Sequence, residues 1–211
     1  MSQSYQPDRI FLDQGLPHRD DPIFTFERWY RAAKDVSGFP AQAMSLATVS
    51  RTGDPDVRVV LLQAVAGGGL VFFTNLSSVN GTQVLATGKA AACFHWPAMG
   101  RQVRLRGEVH QVEDNYADSY FSQRPRGAQI GAHASPQSSV ISDRTALIDR
   151  VRDAEIRFEN GPVPRPPHWS GMRLVPSQIE FWEDGDDRLH DRLLFTRSSA
   201  EADWGADRLA P

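Results

Sequence analysis

Arg188, His190 and Arg192 stand at alternate positions in the stretch Phe181-Trp182-Glu183-Asp184-Gly185-Asp186-Asp187-Arg188-Leu189-His190-Asp191-Arg192. Apolar residues run up to Trp182, a Gly/Asp turn follows, and polar residues then return, a pattern that predicts strand, turn, strand. Alternation in the second strand sends Arg188, His190 and Arg192 to one face and Leu189, Asp191 and Leu193 to the other. Two guanidiniums flanking an imidazole make a poor core. They make a good seat for an anionic, planar ligand that exchanges protons. Charge clusters usually face solvent, so an edge hairpin with a solvated cationic face, paired to Asp and Glu across strands, is the competing reading.

The elements that must position these groups are legible along the chain. Its 211 residues, 40% hydrophobic and 23% charged, suffice for one sizeable core. The net charge of −3 argues against a general nucleic-acid or membrane-surface binder, which would carry a basic excess. No apolar run reaches transmembrane length, Met1–Pro7 lacks the character of a signal peptide, and Cys93 has no second cysteine to pair with, so a cytoplasmic protein is expected. Residues 1–20 read as a mobile arm and 21–211 as a single domain. Asp21-Pro22 caps a helix in which Ile23, Phe26, Trp29, Tyr30 and Ala33 recur at helical spacing, to about Lys34. Strands are expected at 43–50, 57–65, 70–75, 90–96, 102–112, 171–181 and 188–197, with a last one near 204–208. Helices are expected at 78–86, 113–123, 126–133 and 142–158, and Gly161–Pro167 is a stiff connector. Short turns between six to eight strands, with helices inserted, predict a mainly β protein, an antiparallel barrel or curled sheet.

Several chemistries have no residues to support them. There is no Cys/His pair at zinc-ligand spacing, no His-Glu-x-x-His, no Gly-x-Ser-x-Gly and no Walker loop. Gly67-Gly68-Gly69 precedes a strand rather than a helix and is a hairpin turn, not a phosphate loop. His95 and His110 are expected to be ordinary strand histidines, and Arg104 and Arg106 a solvated face shared with Gln102.

A set of stretches carries a resemblance. They are Arg58-Val59-Val60-Leu61-Leu62, Val71-Phe72-Phe73-Thr74-Asn75, Arg101-Gln102-Val103, Tyr120-Phe121 with Arg124-Pro125-Arg126, and Gln129-Ile130-Gly131-Ala132. Ser135-Pro136-Gln137-Ser138, Pro166-Pro167-His168-Trp169, Ile179-Glu180-Phe181-Trp182, Arg188-Leu189-His190-Asp191-Arg192 and the final Arg208-Leu209-Ala210-Pro211 complete it. In this order, from about Asp21 to the C-terminus, they closely resemble the pyridoxine/pyridoxamine 5'-phosphate oxidase family. The resemblance implies an antiparallel split β-barrel that binds FMN and works as a homodimer, each flavin lying between subunits. It also implies FMN contacts from Arg58, Val59, Val60, Leu61, Leu62, Phe73, Thr74, Gln102, Gln137, Ser138, Trp182 and Arg192. Tyr120, Arg124, Arg188 and His190 match the family's substrate contacts, the last two at the reacting centre.

The residue chemistry suits those roles. A phosphate dianion needs charge-assisted donors, which Arg58 and Thr74 can supply, and Gln102 and Gln137 can meet the polar edge of a flavin. The resemblance implies that the flavin accepts the hydride and molecular oxygen is the final acceptor, which would leave the protein to position and polarise a small heterocyclic substrate. The sequence departs from the family at three places. Val79-Asn80 stands where an Arg-Lys pair is usual near the FMN phosphate. Gln63 replaces a lysine, and Ala128 a serine, that serve the substrate phosphate. Each lost charged hydrogen bond costs about 1.5–3 kcal/mol, roughly ten- to a hundredfold in affinity. Weaker FMN binding is therefore expected. Pyridoxamine or pyridoxine 5'-phosphate is the default substrate, and a non-phosphorylated N-heterocycle of secondary metabolism, as for the flavin oxidase of phenazine biosynthesis, is the alternative. A deazaflavin- or flavin-dependent reductase on the same barrel, and a non-catalytic flavin or pyridoxal-phosphate binding protein, are the other readings.

Overall fold

The Asp21 carboxylate accepts the Ile23 N–H at 2.9 Å and starts α1 (Pro22–Asp35), with Pro22 in the first turn where its missing N–H costs nothing. The computed structural model describes residues 21–36 and 40–211; the expected N-terminal arm, 1–20, lies outside the described residues. The buried face of α1 sets Phe26 against Phe94 and Trp96, and Trp29 edge-on to Phe181. The helix thus plugs one end of a β structure rather than lying on its surface.

Nine strands follow, every paired neighbour antiparallel: β1 (Ala43–Val49), β2 (Pro55–Leu61), β3 (Ala64–Ala66), β4 (Gly69–Asn75), β5 (Lys89–Trp96), β6 (Arg101–Gln111), β7 (Trp169–Glu183), β8 (Asp191–Thr196) and β9 (Gly205–Leu209). The main path runs β2-β1-β5-β6-β7-β4-β3, and β8 and β9 extend from β7. The single strand expected over 57–65 is broken. At Leu62 the backbone N–H still reaches Gln42 O beside β1, while at Gln63 it turns to Val71 O on β4, 2.8 Å in each case. The two ends of the sheet are therefore consecutive pieces of one bent segment, which joins β1 to β4 and curls the sheet on itself.

β7 is where the barrel splits. One of its edges pairs with β6 from Met172 to Glu183; the other pairs with β4 from Trp169 to Leu174 and with β8 from Gln178 to Glu183. A register shift between Arg106 and Gly107 accompanies the change of partner. Only glycine fits at 107, since a Cβ there would stand 2.0 Å from the Val175 carbonyl oxygen. The inward positions Leu46, Phe94, Val103, Leu105, Leu174, Ile179, Phe181 and Phe195 are essentially fully buried and form the core. The outer face of β2 leaves Val57, Val59 and Leu61 exposed, the first two more than 60%.

Five helices decorate the sheet: α1, α2 (Val79–Thr87), α3 (Asp114–Ser122), α4 (Arg126–Ala134) and α5 (Arg144–Arg157). α2 is capped by Ser78 and ended by left-handed Gly88. α5, expected to be amphipathic, buries only Ala154. The strand expected over 188–197 begins at Asp191 instead. Asp186–Arg188 form a single 3-10 turn, and Asp187 and Arg188 have φ of 54° and 64°. Among the described residues no helix is long and apolar enough to cross a membrane.

Candidate active site

The residues singled out from sequence fall into three groups. The first surrounds an aromatic stack. Gly171 on β7 has no side chain, and a Cβ there would press within 2.9 Å of the Phe73 ring and 2.8 Å of Val112. Phe73 uses that space to lie near-parallel to both Tyr120, at 4.0 Å and 12°, and Trp169, at 4.8 Å and 12°. Arg124 follows α3, its guanidinium carbon 4.7 Å from the Trp169 ring centre and 5.7 Å from that of Phe121. Its Nη1 is buried and has no hydrogen-bond partner. Burial pulls the Arg124 pKa below its usual value and pushes that of the Tyr120 phenol up. A cation taken from water without a carboxylate beside it is a seat for an anionic ligand. Gln63 is exposed and Ala128 half-buried, so neither adds a charge.

The second group lines one side of α2. Thr74, at the end of β4, accepts from Asn80 Nδ2 at 2.8 Å, and Ser78 donates to Asn80 Oδ1 at 2.9 Å. Ser138, with φ of 69°, brings its hydroxyl to the Val79 N–H at 3.3 Å; its neighbour Gln137 is exposed. One turn further along α2, Gln83 accepts from the Thr48 hydroxyl, which in turn receives Arg58 Nη1 at 2.5 Å. Arg58 also donates to Leu46 O at 3.2 Å and to the Asp56 carboxylate at 2.5 Å. Its neighbours on β2 divide between faces, Val59 and Leu61 outward, Val60 half-buried and Leu62 in the core.

The third group lies across the outer face of the sheet. Gln102, Trp182 and Arg192 are direct cross-strand partners on β6, β7 and β8, so their side chains share one row. Glu180, next but one to Trp182 and therefore on the same face, accepts from Arg192 Nε at 2.9 Å and Nη2 at 2.8 Å and from Arg104 Nη2 at 3.0 Å. Arg106 Nε donates to Gln178 Oε1 at 2.7 Å. The face read as solvated is thus cross-linked across strands. Arg192 Nη1 donates to Ala210 O at 2.9 Å. Three of five guanidinium N–H groups are engaged and two remain for a ligand. His190 packs on Trp182 with ring centres 4.6 Å apart. Its Nδ1 lies 3.3 Å from the Gly185 N, whose N–H it accepts when unprotonated, and 3.0 Å from Asp184 Oδ1, to which it donates when it carries the proton; neither contact uses Nε2. Arg188 and His190 both precede β8, so neither shares a strand face with Arg192 as expected. Arg188 sits on the exposed turn, because the left-handed Asp187 and Arg188 break the extended alternation.

Sequence reasoning missed Glu180, Asp184 and Asp56, the carboxylates that orient His190 and the arginines. Two-residue spacing from Trp182 and Arg58 was the available signal for Glu180 and Asp56. Trp169 and Trp182 mark opposite ends of β7, thirteen residues apart, about 40 Å of strand at ~3.3 Å per residue. The third group is therefore far along the strand from the first. The Gln102 amide and the spare Arg192 N–H groups fit the polar edge of a flavin ring, and Trp182 offers it a flat wall. The polar groups around α2 suit a ribityl chain, while Arg58, the guanidinium described among them, is already paired with Asp56.

Comparison with known proteins places this arrangement. Residues 39–158 match the family described as Pyridoxamine 5'-phosphate oxidase, and residues 169–211 match the Pyridoxine 5'-phosphate oxidase C-terminal dimerisation region. The pyridoxine/pyridoxamine 5'-phosphate oxidase of Brucella canis is 47% identical over 191 residues, covering 90% of this chain and 94% of that one. Among solved structures, PhzG from Burkholderia lata 383 in complex with tetrahydrophenazine-1-carboxylic acid superposes with a TM-score of 0.85 at 29% identity, over 94% of this chain and 98% of that one. A pyridoxamine 5'-phosphate oxidase-related, FMN binding protein from Nostoc punctiforme shares the fold at a TM-score of 0.69 and 18% identity, over 89% and 96%. With both regions matched in order on a sheet that splits along β7, this chain belongs to the pyridoxamine 5'-phosphate oxidase family.

Proposed function

We propose that this protein is an FMN-dependent oxidase that removes a hydride from a small, planar, anionic heterocycle and passes the electrons to molecular oxygen. The observation that carries the reading is Arg124: a desolvated guanidinium stacked on Trp169, with an unpartnered N–H beside the Phe73–Tyr120 stack. Bound flavin would supply the two-electron acceptor. The chain's own groups do the rest. Arg124 binds the substrate anion, and Tyr120 keeps its phenol neutral and available as a donor. Gln102, Trp182 and Arg192 would hold the flavin ring. His190 would face substrate through Nε2, with either the Asp184 carboxylate accepting from Nδ1–H or the Gly185 N–H donating to Nδ1 to fix the ring. Arg188, on its exposed turn, can swing in as a second cation.

The distance along β7 supports a homodimer in which each site takes one group of residues from each copy, and the match to a dimerisation region supports the same arrangement. A cytoplasmic setting agrees with the free thiol of Cys93. The default substrate is pyridoxamine or pyridoxine 5'-phosphate, by likeness to the Brucella enzymes. A phosphate-free heterocyclic acid is the second reading, favoured by the single cation at Arg124 and by likeness to a protein solved with a tetrahydrophenazine carboxylate. Purified protein should show a flavin spectrum after incubation with FMN and release hydrogen peroxide with one of these two substrate classes. Flavin binding without peroxide from either would leave a binding protein and reject the oxidase.

A further inference from the structure

We infer that the end of the cofactor site that meets the flavin's side chain is neutral and already satisfied, so that this protein recognises flavin by its ring and holds riboflavin about as well as FMN. The inference rests on the flavin reading and concerns the residues around α2. Arg58 is the cation of that group, and Asp56, two residues away on β2, closes on it at 2.5 Å. A phosphate dianion brought to Arg58 would meet the Asp56 carboxylate at the same place, so much of the attraction is cancelled before the ligand arrives. Asn80 adds no charge. It is 6% exposed, and its amide is turned inward, spent on Thr74 and Ser78.

Two of the backbone donors at the helix terminus are occupied as well. The Val79 N–H goes to Ser138 Oγ and the Gly81 N–H to Ser78 Oγ, both at 3.3 Å. An anion must displace these bonds rather than fill empty ones, so the usual attraction of a helix N-terminus for phosphate is blunted. Asp56 and Asn80 are therefore specificity-determining residues: the first neutralises the cation and the second fills its neighbourhood with an uncharged amide.

Quenching of flavin fluorescence, titrated with FMN and with riboflavin, tests this directly. The wild-type dissociation constants should lie within about tenfold of each other and change little with salt. Asp56→Asn, at a half-exposed position that tolerates change, and Asn80→Lys should each raise the preference for FMN by roughly ten- to a hundredfold. A wild-type protein that binds FMN more than a hundredfold tighter than riboflavin would overturn the inference and leave the oxidase reading standing. So would an unchanged ratio in both variants. Binding of neither flavin would instead reject the flavin reading, and this inference with it.

Discussion

At the scale of single residues, charge without a partner marks where a ligand is missing. Arg124 is held by two aromatic rings, which orient a guanidinium without neutralising it. Arg124→Ala should lower kcat/KM about ten- to a hundredfold through KM, with flavin absorbance unchanged, because the loss falls on substrate binding alone. A second residue tests electrostatics at the β1–β2 turn. Hydrogen bonds from Thr52 and Ser50 hold the Asp54 carboxyl below its ordinary value. A depressed folded-state pKa means the contribution is present above the unfolded value and is lost as pH falls through the folded one. Wild type should therefore melt above Asp54→Asn at neutral pH, and the difference should vanish in acid below the usual carboxylate range. Thermal melts across pH would show it.

At the scale of elements, β7 organises the molecule: it carries Trp169 at one end and Trp182 at the other, and changes partner between them. Gly107 permits that change. Gly107→Ala would force a methyl into the Val175 carbonyl, and refolding yield should collapse. Gly171→Ala is a milder probe, pressing on Phe73 and Val112 rather than on backbone. Overpacking of this kind costs about 1–3 kcal/mol, so Tm should drop by several degrees while substrate KM rises as the stack shifts.

At the scale of the whole molecule, the exposed Val57, Val59 and Leu61 lie on the outer sheet face, and the cross-strand rows of Val57 and Val59 continue to Arg106 and Arg104. An apolar strip beside a candidate site is what a second copy would cover. Val59→Asp should therefore give a folded monomer by sedimentation, with unchanged circular dichroism and lost flavin binding. A dimer that survives the substitution with its flavin intact would remove this face from the interface.

Much was legible in the chain itself. Asp21-Pro22, the period-two runs from Ala43 to Gln111 and the glycine turns specify their elements locally, through capping, alternation and φ preference, and all but the strand expected over 57–65, which is broken in two, appear within a few residues of where the pattern puts them. Gln102, Trp182 and Arg192 could be named from sequence, but their shared row depends on register between distant strands. Tertiary structure decided the rest. The bend at Leu62–Gln63 that joins the sheet's ends, the left-handed turn that takes Arg188 off the strand, and the carboxylates Asp56, Asp184 and Glu180 that engage Arg58, His190 and Arg192 are settled by the fold. Local periodicity reports which way a side chain points relative to its own backbone. What it meets there is set by strands arriving from elsewhere in the chain.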